Sequence, residues 1–187
     1  VFVDPVILFR MGRYNASGFA RGLRMRALFP ASFDPVTNGH MDVLIRAARV
    51  FDTVVAGVYD NTSGETLFSA DERLELLGTA VESIGTVEAV AYSGLTVDCA
   101  REIGARVLVR GLRAVSDFEH EFALSAMNRR LHPDIDTMFF LSAPEHAFVS
   151  SSLIREIGAM GRSVEPFVPA SVAVAVRSKF CNHKDRG

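Results

Sequence analysis

The chain has 187 residues, 49% of them hydrophobic and 22% charged, which suits one well-buried globular domain. A formal net charge of −2 excludes a generally basic nucleic-acid surface. The two cysteines, Cys99 and Cys181, have neither metal-ligand spacing nor the density of a secreted disulfide scaffold, so a reducing, cytoplasmic setting is expected, with neither nucleic acid nor membrane as partner.

The first 24 residues, VFVDPVILFRMGRYNASGFARGLR, have a short apolar part broken by Asp4 and Pro5. That part is too short to span a bilayer, and no basic segment precedes an unbroken apolar core as in a secretory signal. Residues 1–24 are therefore expected to stand outside the fold as a leader, with the patterned domain covering 25–180.

From Arg26 onward, short β-rich runs alternate with longer amphipathic ones, the pattern of repeated βα units around a parallel sheet. Five strands are predicted: RALFP from Arg26, TVVAGVY from Thr53, VEAVAY from Val87, RVLVRG from Arg106 and TMFFLS from Thr137. Helices are predicted near Gly39 to Phe51, Ser69 to Ile84, Thr96 to Ile103 and Ser116 to Leu131. SADE places Ser69 at a helix cap with Glu72 three residues on, a capping box. After the fifth strand, SSSLIREIGAMG offers serine caps before a short helix, and PASVAVAVRSKF a proline-started one. The tail, residues 181–187, is polar and expected to fray. The fold class is α/β, a single Rossmann-like domain with a five-stranded parallel sheet and helices on both faces.

In an open parallel sheet, ligands bind beyond the carboxyl ends of the strands, where helix N-termini present unpaired N–H groups. PASFDPVTNGH follows the first strand, DNTSGET the second, SGLT the third, RGLRAVSD the fourth and SAPEHAFVSSS the fifth. Together they suggest a phosphate-rich ligand. Neither G-x-x-x-x-G-K-[ST] nor G-x-G-x-x-G is present, so another turn must hold the phosphates. TNGH suits that role: Gly39 lets the backbone approach closely, and His40 presents a ring N–H or a cation to an anion, where elsewhere a lone histidine would cap or pack.

Arg110 and Arg113 flank Gly111 just after a buried strand, positioned to grip phosphate through paired hydrogen bonds. Glu121 on the next helix would take a ribose hydroxyl or orient an arginine. Asp117, Glu119, Arg129 and Arg130 read equally well as helix-surface charges. FVSSS before LIREI offers hydroxyls and amides for a β- or γ-phosphate. Asp34 is expected to fix the turn before Pro35.

Taken together, SFDPVTNGH, RGLRAVSDFEHE and FVSSSLIREI resemble the phosphopantetheine adenylyltransferase family of the nucleotidylyltransferase superfamily, over roughly Met25 to Phe180. The first motif marks the superfamily; RGLRAVSDFE and the SSSL segment are more specific. The resemblance implies transfer of AMP from Mg-ATP to 4′-phosphopantetheine, giving dephospho-coenzyme A and pyrophosphate, by a homohexamer that carries no metal site of its own and takes Mg2+ with ATP. By position, Ser32 and Phe33 would border the triphosphate, and His40 would stabilise charge at the α-phosphate. Gly111, Leu112, Arg113, Glu121 and the run His146, Ala147, Phe148, Val149, Ser150, Ser151, Ser152 would hold ATP. Ser32, Gly64, Thr96 and Arg110 would meet 4′-phosphopantetheine.

Three positions depart from the family's pattern: Ala31 stands for glycine, Ser32 for the commoner threonine, and Gly64 for lysine. The last removes a positive charge from the acceptor side. Two alternatives therefore stay open, a catalytically impaired relative that binds ATP or coenzyme A, and a nucleotidylyltransferase with another acceptor.

Overall fold

The computed structural model describes residues 25–60 and 66–184; the expected leader and Gly64 lie outside the described residues. Five strands, β1 (Arg26–Ala31), β2 (Thr53–Tyr59), β3 (Val87–Tyr92), β4 (Val107–Leu112) and β5 (Asp136–Leu141), form one parallel sheet in the order β3-β2-β1-β4-β5. The inner strands β1 and β2 are buried along nearly their whole length, which is why they read as unbroken apolar runs. The outer strands β3 and β5 are only partly covered.

The helices are α1 (Asn38–Ala47), α2 (Ala70–Val81), α3 (Thr96–Glu102), α4 (Val115–Leu131), α5 (Ser151–Ala159) and α6 (Ala170–Lys184), with a 3₁₀ turn at Pro144–His146. They leave a core on each face. The larger gathers Phe29, Val43, Leu44, Leu77, Ile154 and Val172, and the smaller Leu28, Val55, Val97, Ala100, Leu108 and Ile135. The parallel architecture expected from the sequence is thus present. Since the chain runs outward from β1 to β3 and returns to β4 beyond β1, the order reverses between β1 and β4, where ligands of such sheets bind.

Some boundaries differ from expectation. Helix α1 starts at Asn38 and ends at Ala47, with Phe51 beyond it packed into the core. Helix α2 stops at Val81, short of Ile84. Helix α6 runs to Lys184, so Cys181 is helical where a frayed tail was expected after Phe180. The capping box of Ser69 and Glu72 is present, with the Ser69 hydroxyl accepting from the Glu72 amide at 3.2 Å and the Glu72 carboxylate accepting from the Ser69 amide at 2.8 Å. Such a cap contributes about 1 kcal/mol.

Candidate active site

The β1–β2 ladder runs from Arg26–Thr53 to Ala31–Val58, but β1 pairs with β4 only at Ala27–Val107 and Leu28–Leu108. Beyond Leu28 the two strands part, and Pro30, which has no N–H, cannot extend the ladder. The Arg110 side chain enters the gap. Its Nη1 donates to the Pro30 carbonyl at 2.8 Å, its Nε donates to Glu121 Oε2 at 2.7 Å, and its Nη2 pairs with Glu121 Oε1. Glu121 thus orients an arginine, one of the two roles expected of it.

Two cavities meet at this wedge. One of 610 Å³ is lined by Ser32, His40, Arg113, Ser150 and Arg155 among others, and one of 300 Å³ by Tyr59, Tyr92, Thr96 and Asn128 among others. Pro30, Ala31, Ser32, Arg110 and Glu121 line both. Gly111 lines the larger cavity, and a Cβ there would stand 3.2 Å from Val43, so its bare backbone lets α1 close against β4.

His40 is held by the cap of its own helix. The Thr37 amide donates to His40 Nδ1 at 3.1 Å, while the Thr37 hydroxyl accepts from the His40 amide at 3.3 Å. This is a capping box in which histidine stands where glutamate or glutamine is usual. Because an amide N–H can only donate, Nδ1 is the acceptor and the ring hydrogen sits on Nε2. Burial, then Arg113, then Arg110, lowers the His40 pKa to about 4. The ring is therefore a neutral N–H donor at neutral pH, which decides between the two forms the sequence left open. Beneath it lies the fully buried Phe33 ring, with centroids 5.0 Å apart, on a residue at φ 48° in the left-handed region. A non-glycine residue there costs on the order of 1–3 kcal/mol, which the packing around it offsets. At Gly39 a Cβ would meet protein atoms no closer than 3.6 Å, so packing does not require this glycine and the cavity side is left to explain it.

Opposite His40, Arg113 is steered by Asp117, whose carboxylate accepts from the Arg113 amide at 3.1 Å and from its Nε at 3.2 Å. Arg113 Nη1 reaches the Val149 carbonyl at 3.4 Å. The three serines are largely occupied. Ser150 caps α5 by accepting from the Leu153 amide, Ser152 bonds Ser150 at 3.0 Å, and Ser151 donates to the Pro35 carbonyl at 2.8 Å. What remains toward the cavity is the first turn of α5, where backbone N–H groups lack intrahelical partners.

Of the residues expected from the sequence, Ser32, His40, Arg110, Gly111, Arg113, Glu121, Val149, Ser150, Ser151 and Ser152 come together around the larger cavity, and Thr96 joins Ser32 and Arg110 around the smaller. The side chains of Phe33 and Leu112 are buried, and Phe148 packs edge-on against Phe167, so none of these three faces the cavity. His146 lies behind Gly39, and neither it nor Ala147 is in the lining. Asp34 does more than fix its own turn: its carboxylate accepts from the amides of Leu67 and Phe68, both at 2.9 Å, and from Arg155 at 3.2 Å. Asp117, read from the sequence as a possible surface charge, is the Arg113 partner.

Sequence reasoning passed over Arg155, Thr37 and His120, all of which line the larger cavity. For Arg155 the signal was its place one helical turn after the serine cap. Among the described residues no group of three or more His, Cys, Asp or Glu side chains converges on a metal position, and no helix is long and apolar enough to cross a membrane.

The model of the cytidylyltransferase-like family matches residues 28–157. The chain is 47% identical over 154 residues to the phosphopantetheine adenylyltransferase of Desulforudis audaxviator (strain MP104C), covering 82% of this chain and 94% of the relative. It is 48% identical over 157 residues to the phosphopantetheine adenylyltransferase of Methylacidiphilum infernorum (isolate V4), covering 83% and 91%. A crystal structure of a Vibrio parahaemolyticus protein named for nicotinate-nucleotide adenylyltransferase activity superposes with a TM-score of 0.62 at 19% identity, over 82% of this chain and 99% of that one. That last likeness concerns the fold alone.

Proposed function

The chain belongs to the phosphopantetheine adenylyltransferases of the cytidylyltransferase-like family, and on that premise we propose a division of labour for the transfer of AMP from ATP to 4′-phosphopantetheine. The observation that carries it is the pair of cavities sharing one wall at Ser32, Arg110 and Glu121. The larger takes ATP and the smaller takes the acceptor, so that the acceptor phosphate and the α-phosphorus meet at the parting of β1 and β4. An acceptor phosphate oxygen attacks the α-phosphorus in line, the new P–O–P bond forms, and the bond to the β-phosphate oxygen breaks. Pyrophosphate leaves and dephospho-coenzyme A remains. The attacking group is already an anion, so no strong protein base is needed, and positioning with charge stabilisation suffices.

In this reading His40 donates its Nε2–H to the charge gathering at the α-phosphate. Arg113 and the first turn of α5 hold the outer phosphates, with Mg2+ arriving on the nucleotide. Leu112, Phe33 and residues 146–148 act through backbone and support. Arg110 faces the acceptor from the shared wall, with Thr96 beyond it, where its hydroxyl is 3.0 Å from that of Tyr92. Pyrophosphate release from ATP should depend fully on 4′-phosphopantetheine. Tight ATP binding without turnover would favour an impaired relative, and turnover with another acceptor alone would favour a changed substrate.

The glycine at position 64 bears on the rate. A lysine restored there should lower the KM for 4′-phosphopantetheine, raise kcat, or both, whereas Gly64→Ala should do neither; steady-state kinetics of the three proteins decide it. Equal behaviour of the lysine and alanine variants would remove the missing charge as an explanation.

For assembly, α4 exposes Val115, Phe118, Phe122, Met127 and Leu131, and β5 adds Met138 and Leu141. An apolar surface of this kind favours burial against other copies. The assembly proposed is a homohexamer, and a monomer at micromolar concentration in light scattering would refute it. Cys99 and Cys181 are both free thiols, in keeping with the proposed cytoplasmic setting.

A further inference from the structure

Arg73 lies on α2, and its side chain is only 2% exposed, among the most deeply buried in the protein. Its guanidinium meets backbone from three separate segments. Nη1 donates to the Ser32 carbonyl at 2.7 Å and to the Tyr59 carbonyl at 2.8 Å, and Nε donates to the Phe68 carbonyl at 3.2 Å. Among the described residues its nearest carboxylate is Asp60, at 3.8 Å and half-exposed. A buried cation resting on carbonyls is a costly way to fill space, since desolvation of the charge is only partly offset by neutral acceptors. An apolar residue would fill the same volume more cheaply. The arrangement therefore calls for a reason beyond stability.

The reason lies in where the three carbonyls stand. The β1–β2 ladder ends at Ala31–Val58, and Ser32 and Tyr59 are the next residues of each strand path on the way to the smaller cavity, which both of them line. Arg73 bridges them where strand pairing has stopped. On the other side of β1, Arg110 bridges to Pro30 where the β4 ladder has stopped. The exit of β1 is thus held between two arginines, one toward each neighbouring strand. Phe68 is gripped twice, through its carbonyl by Arg73 and through its amide by Asp34.

We propose that Arg73 is a positioning residue for the phosphate acceptor: it sets the spacing of Ser32 and Tyr59, and with them the smaller cavity, while touching neither substrate. The proposal rests on the assignment of that cavity to the acceptor. Its forked guanidinium satisfies three carbonyls at fixed angles, which a lysine ammonium on a flexible stem cannot reproduce. Loss of the fork lets Ser32 and Tyr59 move apart, and a displacement near 1 Å at a reacting group costs on the order of 10²-fold.

The test compares the unmodified protein with Arg73→Lys and Arg73→Met by steady-state kinetics, ATP binding and thermal melting. The expected result is a kcat/KM for 4′-phosphopantetheine lower by on the order of 10²-fold in the methionine variant, with lysine partly restoring it. The ATP dissociation constant should change far less than that, because Tyr59 lines the smaller cavity alone and Ser32 is the one residue held by Arg73 that the larger cavity shares. Unchanged kinetic constants in folded variants with a lowered Tm would reduce Arg73 to a stability role and overturn the proposal. So would an equal loss of ATP affinity. Should neither variant fold, the Arg73 Nε–H proton resonance of the unmodified protein decides: it should be protected from exchange and should shift more on addition of 4′-phosphopantetheine than of ATP. A resonance indifferent to the acceptor overturns the proposal. If the unmodified protein neither binds nor turns over 4′-phosphopantetheine, the reading of function itself fails, a result separate from any difference among variants.

Discussion

Replacing His40 by alanine should lower kcat by on the order of 10²- to 10³-fold, as expected for loss of one preorganised hydrogen-bond donor to transition-state charge. The ATP dissociation constant should move far less, because the donor is matched to charge that develops during attack. Single-turnover kinetics with separate ATP binding would check this, and equal losses in both would contradict the role. The pH dependence follows from the neutral ring. With the His40 pKa near 4 in the folded protein, against 6.5 ordinarily, ionisation of His40 should contribute nothing to the kcat/KM profile between pH 6 and 8, so His40→Gln should leave its shape in that range unchanged.

Stability carries the same signature with a definite sign. The unfolded chain takes up a proton at His40 near the ordinary value, whereas the folded chain resists until about pH 4. This residue therefore leaves stability unaffected well above pH 6.5, and destabilises the fold progressively as pH falls from about 6.5 toward 4. His40→Gln should flatten that part of the acid-denaturation curve; an unchanged curve would place the buried neutral imidazole in doubt.

Arg110→Ala should be damaging in a different way, reducing activity and stability together. Its removal leaves the Glu121 carboxylate, 12% exposed, without its partner, and the Pro30 carbonyl without its donor. Because Arg110 is 28% exposed, the cost falls below that of breaking a fully buried pair, to about 1–3 kcal/mol, still a large part of a domain's net stability. Acceptor-dependent turnover should fall by at least about 10²-fold, since the lost cation faces the meeting point of both cavities. The double variant Arg110→Met, Glu121→Leu separates the two effects. With both charges gone it should recover much of the stability in urea unfolding and none of the activity. Recovered turnover in the double variant would show that Arg110 serves the fold alone.

The strands and helices were legible because their signals are local. β2 and β3 have the bounds expected for them because β-branched and apolar runs end at polar turns. The start of α2 was readable because both halves of its capping box lie within four residues. The start of α1 uses the same device, but its third position is filled by a histidine, outside the usual pattern, so the sequence signals the start at Gly39, one residue after the true one. The motif residues were legible as a group because a parallel sheet brings every strand's carboxyl end to one edge.

The partners of those residues were not legible. Arg110 with Pro30, Arg73 with Ser32 and Asp34 with Phe68 are separated by 80, 41 and 34 positions, and no spacing rule connects them. Sequence alone settled the fold class, the order of elements and the strand ends at which the motif residues gather, because periodicity, caps and strand ends are decided within a few residues. Only the tertiary structure decided that β1 and β4 part at Pro30 and that Glu121 orients Arg110. It alone decided that His40 is neutral with its hydrogen on Nε2, and that Arg73 holds the exit of β1. Each of these depends on which buried donor finds which buried acceptor once the chain has closed, and on the low-dielectric surroundings that closure creates.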